Sequence, residues 1–151
     1  MTVNPFGIKT VLFAKHAQHV VLIHFPIALF IIGVAFDFMA QGTRRHALTA
    51  AAYYNLFVAA ITTVPATATG ILAWQFQLEG QQLKSILLLH LILGFVSSLS
   101  IWLVWWIHNR ARRYPERALP AYRLPIEALG VMLVAVTGHL GGFLSGVNGP
   151  G

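Results

Sequence analysis

Four long apolar runs, at 20–40, 48–76, 85–107 and 126–144, account for most of this chain. The breaks between them, at 41–45, 77–84 and 109–123, are polar or basic. About 20 apolar residues are what one helix needs to cross a hydrocarbon core roughly 30 Å thick. In lipid each backbone N–H and C=O must be satisfied inside the protein, so only helices or a closed barrel can span. The barrel fails, because the runs lack period-two alternation and are too long for barrel strands. The sequence therefore predicts an all-α membrane protein. A single four-helix up-down bundle covers 1–151, with no internal repeat.

Composition agrees with a lipid solvent. The chain is 57% hydrophobic and 9% charged, whereas soluble domains carry about 25% charged residues. The net charge of +6 does not point to nucleic acid, because the basic residues sit in the gaps between apolar runs. With no cysteine, disulfides, thiolate zinc sites, iron–sulfur clusters and covalently attached haem are excluded. No small-residue cleavage pattern follows the first run, so it is expected to stay as an anchor.

Basic residues set the expected orientation. Arg44, Arg45, Arg110, Arg112, Arg113, Arg117 and Arg123 fall on one side, and Lys9, Lys15 and Lys84 on the other. The positive-inside rule then puts both termini on the periplasmic side of a bacterial inner (cytoplasmic) membrane, which the chain crosses several times. Trp102, Trp105, Trp106 and His108 would end the third helix as an interfacial belt, with Trp74 near the outer face. Pro120 and Pro125 bracket the start of the fourth helix, a position that tolerates proline. Pro26 either kinks the first helix or sits in its first turn.

Three histidines interrupt three different runs. In an up-down bundle His24, His90 and His139 reach a common depth, roughly 6–10 Å below the outer boundary at about 1.5 Å per residue. Ionisable side chains at membrane depth face a bundle interior and mark function. Neutral imidazoles hold haem, and bundle cofactors are ligated from facing helices. The third helix places Gly94 and Ser97 on the face of His90, and Gly138, Gly141 and Gly142 flank His139. Thr63, Thr67, Gly70 and Trp74 line one face of the second. Such stripes also serve plain helix packing.

The expected cofactor site is thus haem b on His24, His90 and His139, with Gly94, Gly138 and Gly142 making room. His24 and His90 form the favoured pair, on diagonal helices. The alternative is copper or zinc on His19, His24, His90 and His139, since imidazole suits both ions. His16, His46 and His108 are expected to be solvated. Asp37 is expected near the cytoplasmic end, bonded to Tyr54, Asn55 or Arg45. Glu127 suits the positive end of the fourth helix and needs no further role.

The stretch His19-Val-Val-Leu-Ile-His24-Phe-Pro-Ile-Ala-Leu29, followed by Asp37, resembles a bacterial family of four-helix membrane proteins of unknown function, domain of unknown function 2231. Thr69-Gly70, His90 and Thr137-Gly138-His139-Leu140-Gly141-Gly142 extend the resemblance along nearly the whole chain. Val20 stands where the family often has proline, and Ala73 where it often has an acidic residue. The resemblance implies this topology and this choice of histidines. Family members fused or adjacent to c-type cytochromes imply electron transfer on the outer side. The expected function is a small b-type cytochrome without substrate chemistry of its own. Its partners would be a periplasmic c-type cytochrome or a larger membrane redox complex, with a homo-oligomer allowed. A non-catalytic accessory subunit is the alternative.

Overall fold

A computed structural model describes residues 15–43, 45–77, 85–114 and 118–145. Lys9, Arg44, Lys84, Arg117, most of the link at 77–84 and the tail from 146 lie outside the described residues, as do the side chains of Lys15 and His16. Four helices follow one another: α1 (Lys15–Thr43), α2 (His46–Gln77), α3 (Ser85–Arg113) and α4 (Arg123–Leu144). All four are long and apolar enough to cross a membrane.

The order of contacts makes the bundle antiparallel throughout. His19 meets Ala66 and Gly33 meets Leu56 between α1 and α2. Thr63 meets Trp102 between α2 and α3, and His90 meets Thr137 between α3 and α4. The ring closes where Ile27 approaches Gly138 and Asp37 meets Arg123, from α1 to α4.

Each helix is longer than its apolar run. α3 continues through His108 to Arg113 because nothing there breaks a helix, and arginines can snorkel toward the interface. α1 starts at Lys15, so Pro26 lies inside it rather than in its first turn. Pro65 likewise interrupts α2. Such prolines are tolerated in membrane helices, where neighbours satisfy the freed carbonyls.

α1 packs most intimately on α2, and α3 on α4. Ala52, Ala59, Ala66 and Ala73 recur every seventh residue of α2 and are all buried. This small-residue seam lets α1 lie close, where packing rather than the hydrophobic effect drives association. Phe30, Val34, Leu56, Ala59, Ala60, Ile101, Val104 and Val134 form the core. Gly130 is required there, since a Cβ would stand 2.8 Å from Phe30 Cζ. Val21, Val64, Leu99 and Met132 are among the apolar side chains left exposed, as lipid contact demands.

Candidate functional site

A cavity of about 290 Å³ opens between the four helices. It runs from Trp74, Leu87 and Ser145 at one end of the bundle to Thr63, Ile101 and Val134 in its middle. Along α3 that is about 20 Å, at about 1.5 Å per residue. Its walls are mostly aliphatic, and His19 and His90 bring the imidazoles.

Both rings are held in the same way. His19 Nδ1 lies 3.1 Å from the Ala66 carbonyl of α2, with the Thr69 hydroxyl 3.4 Å away. His90 Nδ1 lies 3.1 Å from the Thr137 carbonyl of α4. A carbonyl can only accept, so each Nδ1 carries a proton, and in the neutral form of either ring Nε2 is the lone-pair nitrogen. This is how ligating histidines are oriented from behind. Glycine makes room for each ring. A Cβ at Gly70 would stand 2.9 Å from His19 Cε1, and one at Gly141 would stand 3.1 Å from His90 Cε1.

The two arrangements repeat one another. Each carbonyl lies 47 residues beyond its histidine. His19 and His90, Ala66 and Thr137, and Gly70 and Gly141 are all 71 positions apart. The α1–α2 hairpin is thus matched by the α3–α4 hairpin. No internal repeat was expected, because few positions in each hairpin carry it while most residues between diverge.

The structure does not bring the expected histidines together. His90 lies in the cavity, but His24 and His139 are exposed on the outside of the bundle. His24 donates Nδ1 to the Val20 carbonyl one turn back in its own helix, at 2.6 Å. His139 packs edge-to-face on Phe143, with ring centroids 5.0 Å apart. The reason is helical phase. His19 and His24 are five residues apart, about 140° around the helix, so one turns inward only if the other turns out. The four-histidine copper or zinc site is therefore not assembled. Gly94 and Gly138 do line the cavity, whereas Gly142 is not part of its wall.

A second cluster sits at the opposite, arginine-rich end, and sequence reasoning missed it. Asp37 is 1% exposed, and Arg123 forks onto it with Nε–Oδ2 at 2.9 Å and Nη2–Oδ1 at 3.4 Å. His108 Nε2 lies 2.8 Å from Oε1 of Glu127, which is 0% exposed. So Asp37 pairs with Arg123, not with Tyr54, Asn55 or Arg45. Those neighbours are otherwise engaged: Asn55 bonds the Ala51 carbonyl and Tyr54 accepts from Arg112. His108 is buried rather than solvated, because α3 does not end in a belt there. Glu127 is the carboxylate that meets it, not merely a charge at a helix start. One signal was available. His19 and Asp37 are 18 residues apart, as are His90 and His108. That is five turns at about 3.6 residues each, so each pair shares one face of its helix.

No curated protein and no solved structure matches the chain. The family model described as Predicted membrane protein (DUF2231) matches residues 15–149, which takes in all four helices. The four spans and this match together make the chain a member of the DUF2231 family of membrane proteins.

Proposed function

We propose that this chain is a b-type-cytochrome-like electron-transfer protein of the bacterial inner membrane, in which His19 and His90 would hold the haem. The pair replaces the His24–His90 pair expected from depth alone, and keeps its diagonal α1–α3 placement. The supporting observation is the duplicated cradle: two imidazoles lining one cavity, each fixed through Nδ1 by a carbonyl of the paired helix. Bound there, a haem iron would supply reversible one-electron chemistry. The chain's part is to fix both ring tautomers, exclude water with Ile23, Ile27, Leu91 and Phe95, and admit the macrocycle beside Gly94 and Gly138. The Ser97 and Thr137 hydroxyls, 2.9 Å apart, put a polar contact at the floor of the same cavity. The termini, and with them the cavity, are placed on the periplasmic side by the positive-inside rule, within reach of a periplasmic cytochrome.

The test is a reduced-minus-oxidised visible spectrum of protein purified after expression with ample haem. A b-type signal that His19→Ala and His90→Ala each abolish, while His24→Ala and His139→Ala keep it, supports the assignment. A colourless protein overturns it in favour of an accessory subunit. Loss of the signal in His24→Ala or His139→Ala alone would return the ligands to the outer face.

A further inference from the structure

The cavity accounts for neither Asp37, Arg123, His108 nor Glu127. These four close around one point from three helices, and the Asp37, His108 and Glu127 ligand atoms lie within 4.8 Å of one another. We propose that they form a proton-binding site at the arginine-rich end of the bundle, holding one exchangeable proton on the His108–Glu127 pair.

Charge parity is the first ground. Asp37 and Glu127 are anions, Arg123 is a permanent cation and a neutral imidazole adds nothing, so the empty cluster has one negative charge in excess. An uncompensated charge is strongly disfavoured away from water. One proton brings the cluster to neutrality. In that step neutral His108 and the Glu127 carboxylate become either imidazolium with carboxylate or imidazole with carboxylic acid. Only an N–H or O–H bond is made, and the proton returns to water when it breaks.

The second ground is an orphaned atom. Glu127 Oε2 is buried and has no hydrogen-bond partner among the described residues. As half of a carboxylate it would carry charge with no donor to meet it, an arrangement proteins avoid. If Oε1–H donates to His108 Nε2, Oε2 becomes the carbonyl oxygen of a neutral acid, and leaving it bare costs less. The proton-bearing form is therefore the one that fits this geometry.

Water is close. Asp37 is six residues from the end of α1 and His108 five from the end of α3, so the cluster lies about 7–9 Å from the helix ends. The charged and titratable groups facing it are Asp37 from α1, His108 from α3, and Arg123 and Glu127 from α4. From α2, Tyr53 bonds Asn109 next to His108, and Arg112 caps the Tyr53 ring at 4.4 Å. A divalent metal ion is the rival occupant. It fits less well, because Arg123 already engages both Asp37 oxygens and a dication would leave one positive charge in excess. The site stands apart from the haem assignment and survives its failure.

The chain has only three glutamates, Glu79, Glu116 and Glu127. In a Glu79→Gln/Glu116→Gln background, carbon-13 glutamate labelling makes Glu127 the sole labelled carboxyl. Infrared spectra of this protein in lipid, with nitrogen-15 histidine resonances, are compared between about pH 5 and pH 8. We expect the pair to carry one more proton at the acid end than at the alkaline end. His108→Gln should shift the Glu127 transition by about one pH unit or more. A pair with the same protonation at both ends of the range overturns the proposal. So does one non-haem metal ion per chain, found by elemental analysis and lost in Glu127→Gln while secondary structure is kept. The labelled background protein is itself the readout, so the result does not depend on Glu127→Gln folding.

Discussion

The two ends of this bundle use polar residues in opposite ways. At one end, the outer one if the positive-inside rule holds, His19 and His90 line a cavity, each with Nδ1 on a carbonyl of the paired helix and its ring beside a glycine. At the opposite end, the inner one by the same rule, Asp37, Arg123, His108 and Glu127 hold one another through short side-chain hydrogen bonds. A Cβ at Gly94, beside the outer cavity, would meet nothing within 4 Å, whereas one at Gly130, nearer the inner end, would collide with Phe30. The outer cavity brings two imidazoles to one space, and at the inner end the buried charges are met by one another. A membrane interior rewards both, since an ionisable group at depth needs either a ligand or a partner.

The sharpest way to break this contrast is to remove half of the inner ion pair. Asp37→Leu leaves the Arg123 guanidinium buried without its paired carboxylate, and should cost about 3–5 kcal/mol. Asp37→Leu with Arg123→Leu should recover most of that loss, because a matched apolar pair is often as stable as a buried ion pair. Reversible unfolding in mixed detergent gives both numbers. Equal destabilisation by the single and double variants would show that the pair is not a unit.

Filling glycines compares packing with space directly. Gly130→Leu should cost about 1–3 kcal/mol through overpacking against Phe30. Gly94→Leu should change stability by no more than about 0.5 kcal/mol, yet lower pigment content by at least tenfold if the cavity holds haem. A large loss of stability from Gly94→Leu would mean that the outer end is as tightly packed as the inner.

The smallest effect concerns the joint between the hairpins. Trp102 Nε1 donates to Thr63 Oγ1 at 3.0 Å, at the inner limit of the cavity. Trp102→Phe should cost about 0.6 kcal/mol, the average for an interhelical hydrogen bond in a membrane. A loss above about 2 kcal/mol would move the mechanical centre of the bundle from the inner ion pairs to this contact.

Much of the architecture was legible because lipid leaves the backbone so few choices. Each apolar run had to be a helix, and short links had to make neighbours antiparallel. Helix ends were less legible. α3 runs on to Arg113 because the transition from lipid to water does not itself break a helix. The histidines at the outer end were visible as polar residues in apolar runs, but depth alone does not say which way a ring turns. His24 matched His90 in depth and failed on phase, whereas His19, at the interface, has the right phase. The inner cluster was hidden for a different reason. Asp37 and Arg123 are 86 residues apart in sequence, and every charge near a helix end has a bland interfacial explanation.

Taken alone, the sequence determined the solvent of this protein, the number of its helices and their alternation. Those follow from apolar length and from the need to satisfy the backbone in lipid. The tertiary structure decided which polar side chains meet. That depends on the rotation of each helix about its axis, fixed here by the alanine seam of α2 and by Gly33, Gly130 and the glycines behind His19 and His90. Small residues determine where helices approach closely, and close approach determines which of two histidines five residues apart looks inward.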